Sequence, residues 1–81
     1  MTDQQLLIRI SLDPKIMVGK PTIKGTRLSV DFVLKLLAHG ATADEICDEY
    51  AGLTVEDIQA CLQYAIDVLA AEDIHIAVAA A

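Results

Sequence analysis

Three consecutive stretches of this chain each open on a hydroxyl side chain and close with a glycine or run into the C-terminal tail, and this punctuation restricts the fold to short helices in series. A Ser or Thr oxygen caps the unpaired amides of a first helical turn, and a glycine after the last turn supplies the left-handed stop. Ser29 precedes a predicted helix from Val30 to about His39, with Asp31 and Lys35 one turn apart on its wet side and Gly40 beyond its end. Phe32, Val33, Leu36 and Leu37 are expected to face inward. Thr42 with Glu45 forms a capping-box pattern, and Ala43, Ile46, Cys47 and Tyr50 then fall on one face before Gly52.

Thr54 and Asp57 open the third helix, which runs from Val55 to about Glu72. Val55, Ile58, Cys61, Leu62, Ala65, Ile66 and Leu69 form its expected core stripe. Ala60, Tyr64, Val68 and Ala71 make a second apolar line beside Gln59, Gln63 and Asp67. Two apolar lines imply two partners: the N-terminal strands of the same chain, or another subunit for which these four residues are the expected oligomer interface.

Upstream, Leu6 to Leu12 places Ile8, Ile10 and Leu12 on one side and Arg9 and Ser11 on the other, the period of a half-buried strand that Asp13-Pro14 ends. A second extended piece over Thr26 to Ser29 is expected to pair with it. Residues 1–5 are expected to be disordered, residues 6–72 to form one domain, and residues 73–81 to be an apolar tail whose conformation the pattern does not specify.

Between the extended pieces lies Gly19-Lys20-Pro21-Thr22-Ile23-Lys24-Gly25-Thr26-Arg27. Gly19, Pro21, Gly25 and Thr26 are expected to shape this loop, because glycine admits positive φ and proline fixes its own. It does not match a phosphate-binding P-loop, whose Lys is followed by Ser or Thr where this chain has Pro21. Lys20, Lys24 and Arg27, with Lys15, are the expected anion-, nucleic-acid- or partner-binding residues. The alternative is a solvated loop with Arg27 paired to an acidic helix of its own domain. All six Lys and Arg fall within residues 1–35, which carry a net +3, whereas residues 36–81 carry −9.

Eighty-one residues, 54% of them hydrophobic but without Trp, describe one small domain with an aliphatic core that self-association would help stabilise. The sequence has no run of about 20 apolar residues and no signal-peptide pattern, so a cytoplasmic location is expected. Cys47 and Cys61 read as buried thiols. His39 and His75 lack metal-ligand spacing, Ser11, Ser29 and Thr54 have turn or cap roles, and the pairs Asp44-Glu45 and Asp48-Glu49 read as a solvated helix face. No nucleophile with its base can be assembled; a non-enzymatic protein without cofactor or metal is expected.

The order of a strand, Asp13-Pro14, Gly19-Lys20-Pro21, Gly25-Thr26-Arg27-Leu28, a helix ending at Gly40, Ile46 among carboxylates, and Leu53-Thr54-Val55-Glu56-Asp57-Ile58 resembles the prokaryotic family known as domain of unknown function 433, over about residues 7 to 68. Ser29 stands where that pattern has proline. The resemblance implies a mainly α, three-helix, homeodomain-like helix-turn-helix domain with a short N-terminal β element. It also implies an antitoxin-like role, because many members are encoded beside toxins with a PIN-like nuclease domain. The expected function is therefore an interaction module that binds a PIN-like toxin and forms a homo-oligomer. Its third helix offers Glu56, Asp57, Gln59, Gln63 and Asp67 and no cation, so readout of DNA by that helix is disfavoured. The alternatives are a DNA-binding transcriptional regulator using the basic Gly19–Arg27 loop, and a structural oligomerisation domain.

Overall fold

The chain begins with a helix where none was expected. Thr2 and Gln5 form a capping box, with Gln5 N donating to Thr2 Oγ1 at 3.2 Å and Thr2 N donating to Gln5 Oε1 at 2.9 Å, and helix α1 follows over Asp3–Leu7. In this computed structural model, which describes residues 1–15 and 19–71, Leu6 and Leu7 are therefore helical rather than extended. The extended segment shrinks to β1, Ile10–Ser11. Ile8 and Leu12, expected to be buried with Ile10, are exposed, since only Ile10 sits where the sheet meets the core.

Strand β2, Thr22–Ile23, runs antiparallel to β1 with Ile10 opposite Ile23 and Ser11 opposite Thr22. It lies before Gly25, not after it as the sequence pattern predicted. The expected piece at Thr26 to Ser29 is the return of a tight turn: Ser29 bridges Thr22, Ile23 N donates to Leu28 O at 3.0 Å and Val30 N to Pro21 O at 2.9 Å.

Helices α2 (Val30–Ala38), α3 (Ala43–Glu49) and α4 (Val55–Ala71) form where their caps predict. Ser29 Oγ accepts from Phe32 N at 3.3 Å, and the Thr42–Glu45 pair closes a reciprocal capping box. At the end of α2, Gly40 takes φ 100° and Ala41 N donates back to Leu36 O at 3.0 Å, which satisfies a terminal carbonyl.

Ile10, Ile23, Val30, Val33, Ile46, Leu53, Ile58, Ala60 and Cys61 form one core between the small sheet and the helices. Helix α4 is its axis, touching α1, α2, α3 and β1. Phe32 was expected inside; it lies at the surface with its ring edge-on to Tyr50, centroids 5.6 Å apart. Burial, reinforced by Asp57, pushes the Cys61 thiol up to about 12, while Cys47 is half-buried and raised mainly by desolvation. Among the described residues no helix is long and apolar enough to cross a membrane. His75 and the 73–81 tail lie outside the described residues.

Candidate functional site

The Gly19–Arg27 motif folds from its own hydrogen bonds. Thr26 N donates to Ile23 O at 3.0 Å, making a four-residue turn in which Gly25, at φ 79°, occupies the position that type II geometry reserves for positive φ. The Thr26 hydroxyl donates to the same Ile23 carbonyl at 2.8 Å and accepts from Leu28 N at 3.1 Å. Gly19 also has positive φ, and Pro21 contributes its carbonyl to the start of α2. Gly25 and Thr26 thus build the turn, and Pro21 is hydrogen-bonded to the first residue of α2.

The cations of this loop have different immediate neighbours. Lys20 Nζ lies 3.5 Å from Asp31 Oδ2 on the first turn of α2. Hydrogen bonding with the Ser29 side chain holds the Asp31 carboxyl below its ordinary value, opposed by desolvation and helped by the charge and hydrogen bond of Lys20. Arg27 lines a shallow groove of about 240 Å³ with Leu28, Ser29 and Phe32. Lys24 lines a different depression, of about 600 Å³, with Ile8, Arg9, Gly52, Thr54 and Asp57. Lys15 is exposed on the Asp-Pro turn, its amide donating to Asp13 Oδ1 at 2.9 Å. Among the described residues the ion pairs are Lys20–Asp31 and Arg9–Asp57, so an Arg27 pair with an acidic helix is not among them.

The Arg9–Asp57 pair went unforeseen. Arg9 Nη1 reaches Asp57 Oδ1 at 3.1 Å across 48 residues, and Thr54 N donates to Asp57 Oδ2, also at 3.1 Å. Asp57 N in turn donates to Thr54 Oγ1 at 3.3 Å. Asp57 is buried, and both its oxygens are occupied: one caps α4 and the other ties that cap to the segment after α1. The capping half was visible in the Thr54-to-Asp57 spacing, whereas the long-range half carries no local signal.

Helix α4 is rotated relative to the expected core stripe. Ala60 is completely buried and Tyr64 half-buried; Tyr64 borders a recess with Leu7, Ile10 and Leu12. Tyr64 thus lies beside the chain's own N-terminal elements, and Ala60, wholly inside the core, has no free surface to offer. Val68 and Ala71 remain exposed. The apolar face left open is the one assigned to the core: Val55, Leu62, Ile66 and Leu69, with Leu62 at 45%, Ile66 at 57% and Leu69 at 55% exposure. Positions 55, 62, 66 and 69 share one helical face and span about 21 Å at 1.5 Å per residue. Gln59 lies among them, and along one flank Gln63 Nε2 donates to Asp67 Oδ1 at 2.9 Å.

Residues 10–65 match the profile of DUF433, described as a protein of unknown function. Among solved structures the chain is similar to a DUF433 member protein from Anabaena variabilis, with 33% identity and a TM-score of 0.67 over 75% of this chain. The match covers 60% of that protein, so this chain spans only part of its relative's length. No curated protein matches at a significant level.

Proposed function

The chain belongs to the DUF433 family, proteins of unknown function, and on that premise we propose that it is a non-enzymatic, cytoplasmic interaction module of antitoxin type that binds a PIN-like toxin. The observation that carries the reading is the outward apolar line of α4. Exposed apolar residues scattered singly are ordinary, but a continuous helical line of them marks a surface that another molecule covers. The order of α2, α3 and α4 after a short sheet supports the helix-turn-helix-like part of the reading. Co-expression with a PIN-like protein encoded beside this chain should give a complex that co-elutes in gel filtration and has lower nuclease activity. Failure of the two purified proteins to associate at micromolar concentration overturns it.

A DNA-binding regulator is the second reading, favoured by the exposure of Lys15, Lys24 and Arg27, none of which is ion-paired among the described residues. Phosphate neutralisation makes affinity fall steeply with salt. Binding to the chain's own upstream DNA with that salt dependence, weakened by Lys24→Ala with Arg27→Ala, would establish it; undetectable binding at low salt, with and without the partner, would remove it. Homo-oligomerisation through α4, alone or beside partner binding, is read directly by sedimentation.

A further inference from the structure

The outer face of α4 has a chemical signature that specifies its occupant more narrowly than "a protein". Its centre is uncharged, made of Val55, Gln59, Leu62, Ile66 and Leu69. Its charged neighbours are of one sign only: Asp67 is exposed and held by Gln63, and Glu56 is half-exposed near the helix start. The overall charge of the chain, a formal −6, has the same sign. From residue 36 to residue 71 the chain has seven carboxylates and no Lys or Arg, and among the described residues only Asp57 of these is ion-paired, to Arg9. The line also continues to Ile66 and Leu69, past residue 65, where the family match stops.

We propose that this face receives a basic amphipathic helix of a partner protein, with apolar anchors in the Leu62–Ile66–Leu69 line and lysines or arginines on its flanks meeting the acidic surroundings. The inference rests on the interaction-module reading above and adds the chemistry of the partner. Anchors at i, i+4 and i+7 are the spacing by which helices engage one another side by side. A second copy of this chain matches the apolar line equally well but brings a second surface of the same sign against the first. A basic helix turns that repulsion into attraction and speeds encounter, most of all at low salt.

The test uses the full chain and two synthetic helical peptides of about 18 residues, five turns. They share one leucine face; one has lysine flanks, the other glutamate flanks. Fluorescence anisotropy should show the lysine peptide binding roughly tenfold tighter or better at low salt, the ratio shrinking as salt screens the pair. Leu62→Ser with Ile66→Ser should abolish binding of both peptides while the circular-dichroism melt stays close to that of the parent. Glu56→Lys with Asp67→Lys should instead remove the preference and keep the apolar contribution.

Equal binding of both peptides, or of neither, overturns the proposal. So does a lysine preference that survives the double serine variant, which would reduce it to attraction by net charge alone. A dimer in sedimentation that the double serine variant splits into monomers would make the second copy the occupant, against the proposal. A PIN-like protein that fails to bind while the peptides discriminate as expected would refute the toxin reading and leave this one intact.

Discussion

The turn from Gly19 to Ser29 and the outer face of α4 make opposite use of their residues. In the turn, several of the polar groups that stand out in the sequence are consumed by structure: Thr26 makes two hydrogen bonds, Ser29 caps α2 and Lys20 pairs with Asp31, while Lys24 and Arg27 stay exposed. On α4, apolar residues that look like ordinary core are left facing water. A conspicuous motif marks a backbone that is hard to build, because positive φ and reversed chain direction demand particular residues. A binding surface needs only side chains that the fold does not use, and such side chains are inconspicuous.

If that contrast is sound, the largest losses of stability should come from residues that hold polar structure together. Asp57→Ala removes the cap of α4 and strands Arg9, and should destabilise by about 2–4 kcal/mol in chemical denaturation. Next, Gly25→Val forces a β-branched residue to φ 79° and should cost about 1–3 kcal/mol. A loss below about 0.5 kcal/mol would mean that the turn relaxes freely and that its composition has a reason other than shape.

Thr22→Val sharpens the contrast from the other direction. Thr22 is buried in β2 and its Oγ1 has no hydrogen-bond partner among the described residues, so exchanging the hydroxyl for a methyl should be neutral or stabilising by up to about 1 kcal/mol. On the outer face, Ile66→Ser should change stability by no more than about 0.5 kcal/mol, as should Lys24→Ala and Arg27→Ala. A large loss from Ile66→Ser would show that something in the folded chain already covers that face.

The smallest effect is one of pH. Hydrogen bonds from the Thr42 backbone and side chain hold the Glu45 carboxyl below its ordinary 4.5, and Asp31 is held below 3.8. A lowered folded value means that the ionised form is favoured by folding. The contribution is fully present above the ordinary value and is lost as pH falls through the lowered one. Acid titration of the melting temperature should therefore decline from about pH 4.5 downward, and Glu45→Gln should flatten the first part of that decline.

Legibility in the sequence followed the range of the interactions. Ser29, Thr42 with Glu45, and Thr54 with Asp57 act within three residues, and the three helices they start were readable. Thr2 with Gln5 acts by the same rule, but the alternation of Ile8, Ile10 and Leu12 resembled a strand and drew the boundary in the wrong place. The rotation of α4 was beyond reach, because both its faces are apolar and only the packing of α1 and β1 decides between them. Arg9 and Asp57, 48 positions apart, had no local sign of each other.

That last separation bears on how the chain comes into being. Synthesis proceeds from the N-terminus at roughly 5–20 residues per second, so Arg9 leaves the ribosome about 2–10 s before the aspartate it will grip. Through that interval α1 and β1 have no α4 to lie against, and Leu6, Leu7 and Ile10 stay open to whatever is nearby. The carboxylate that caps α4 also grips the segment after α1, so the ordering of α4 and of that earlier segment are tied to one side chain.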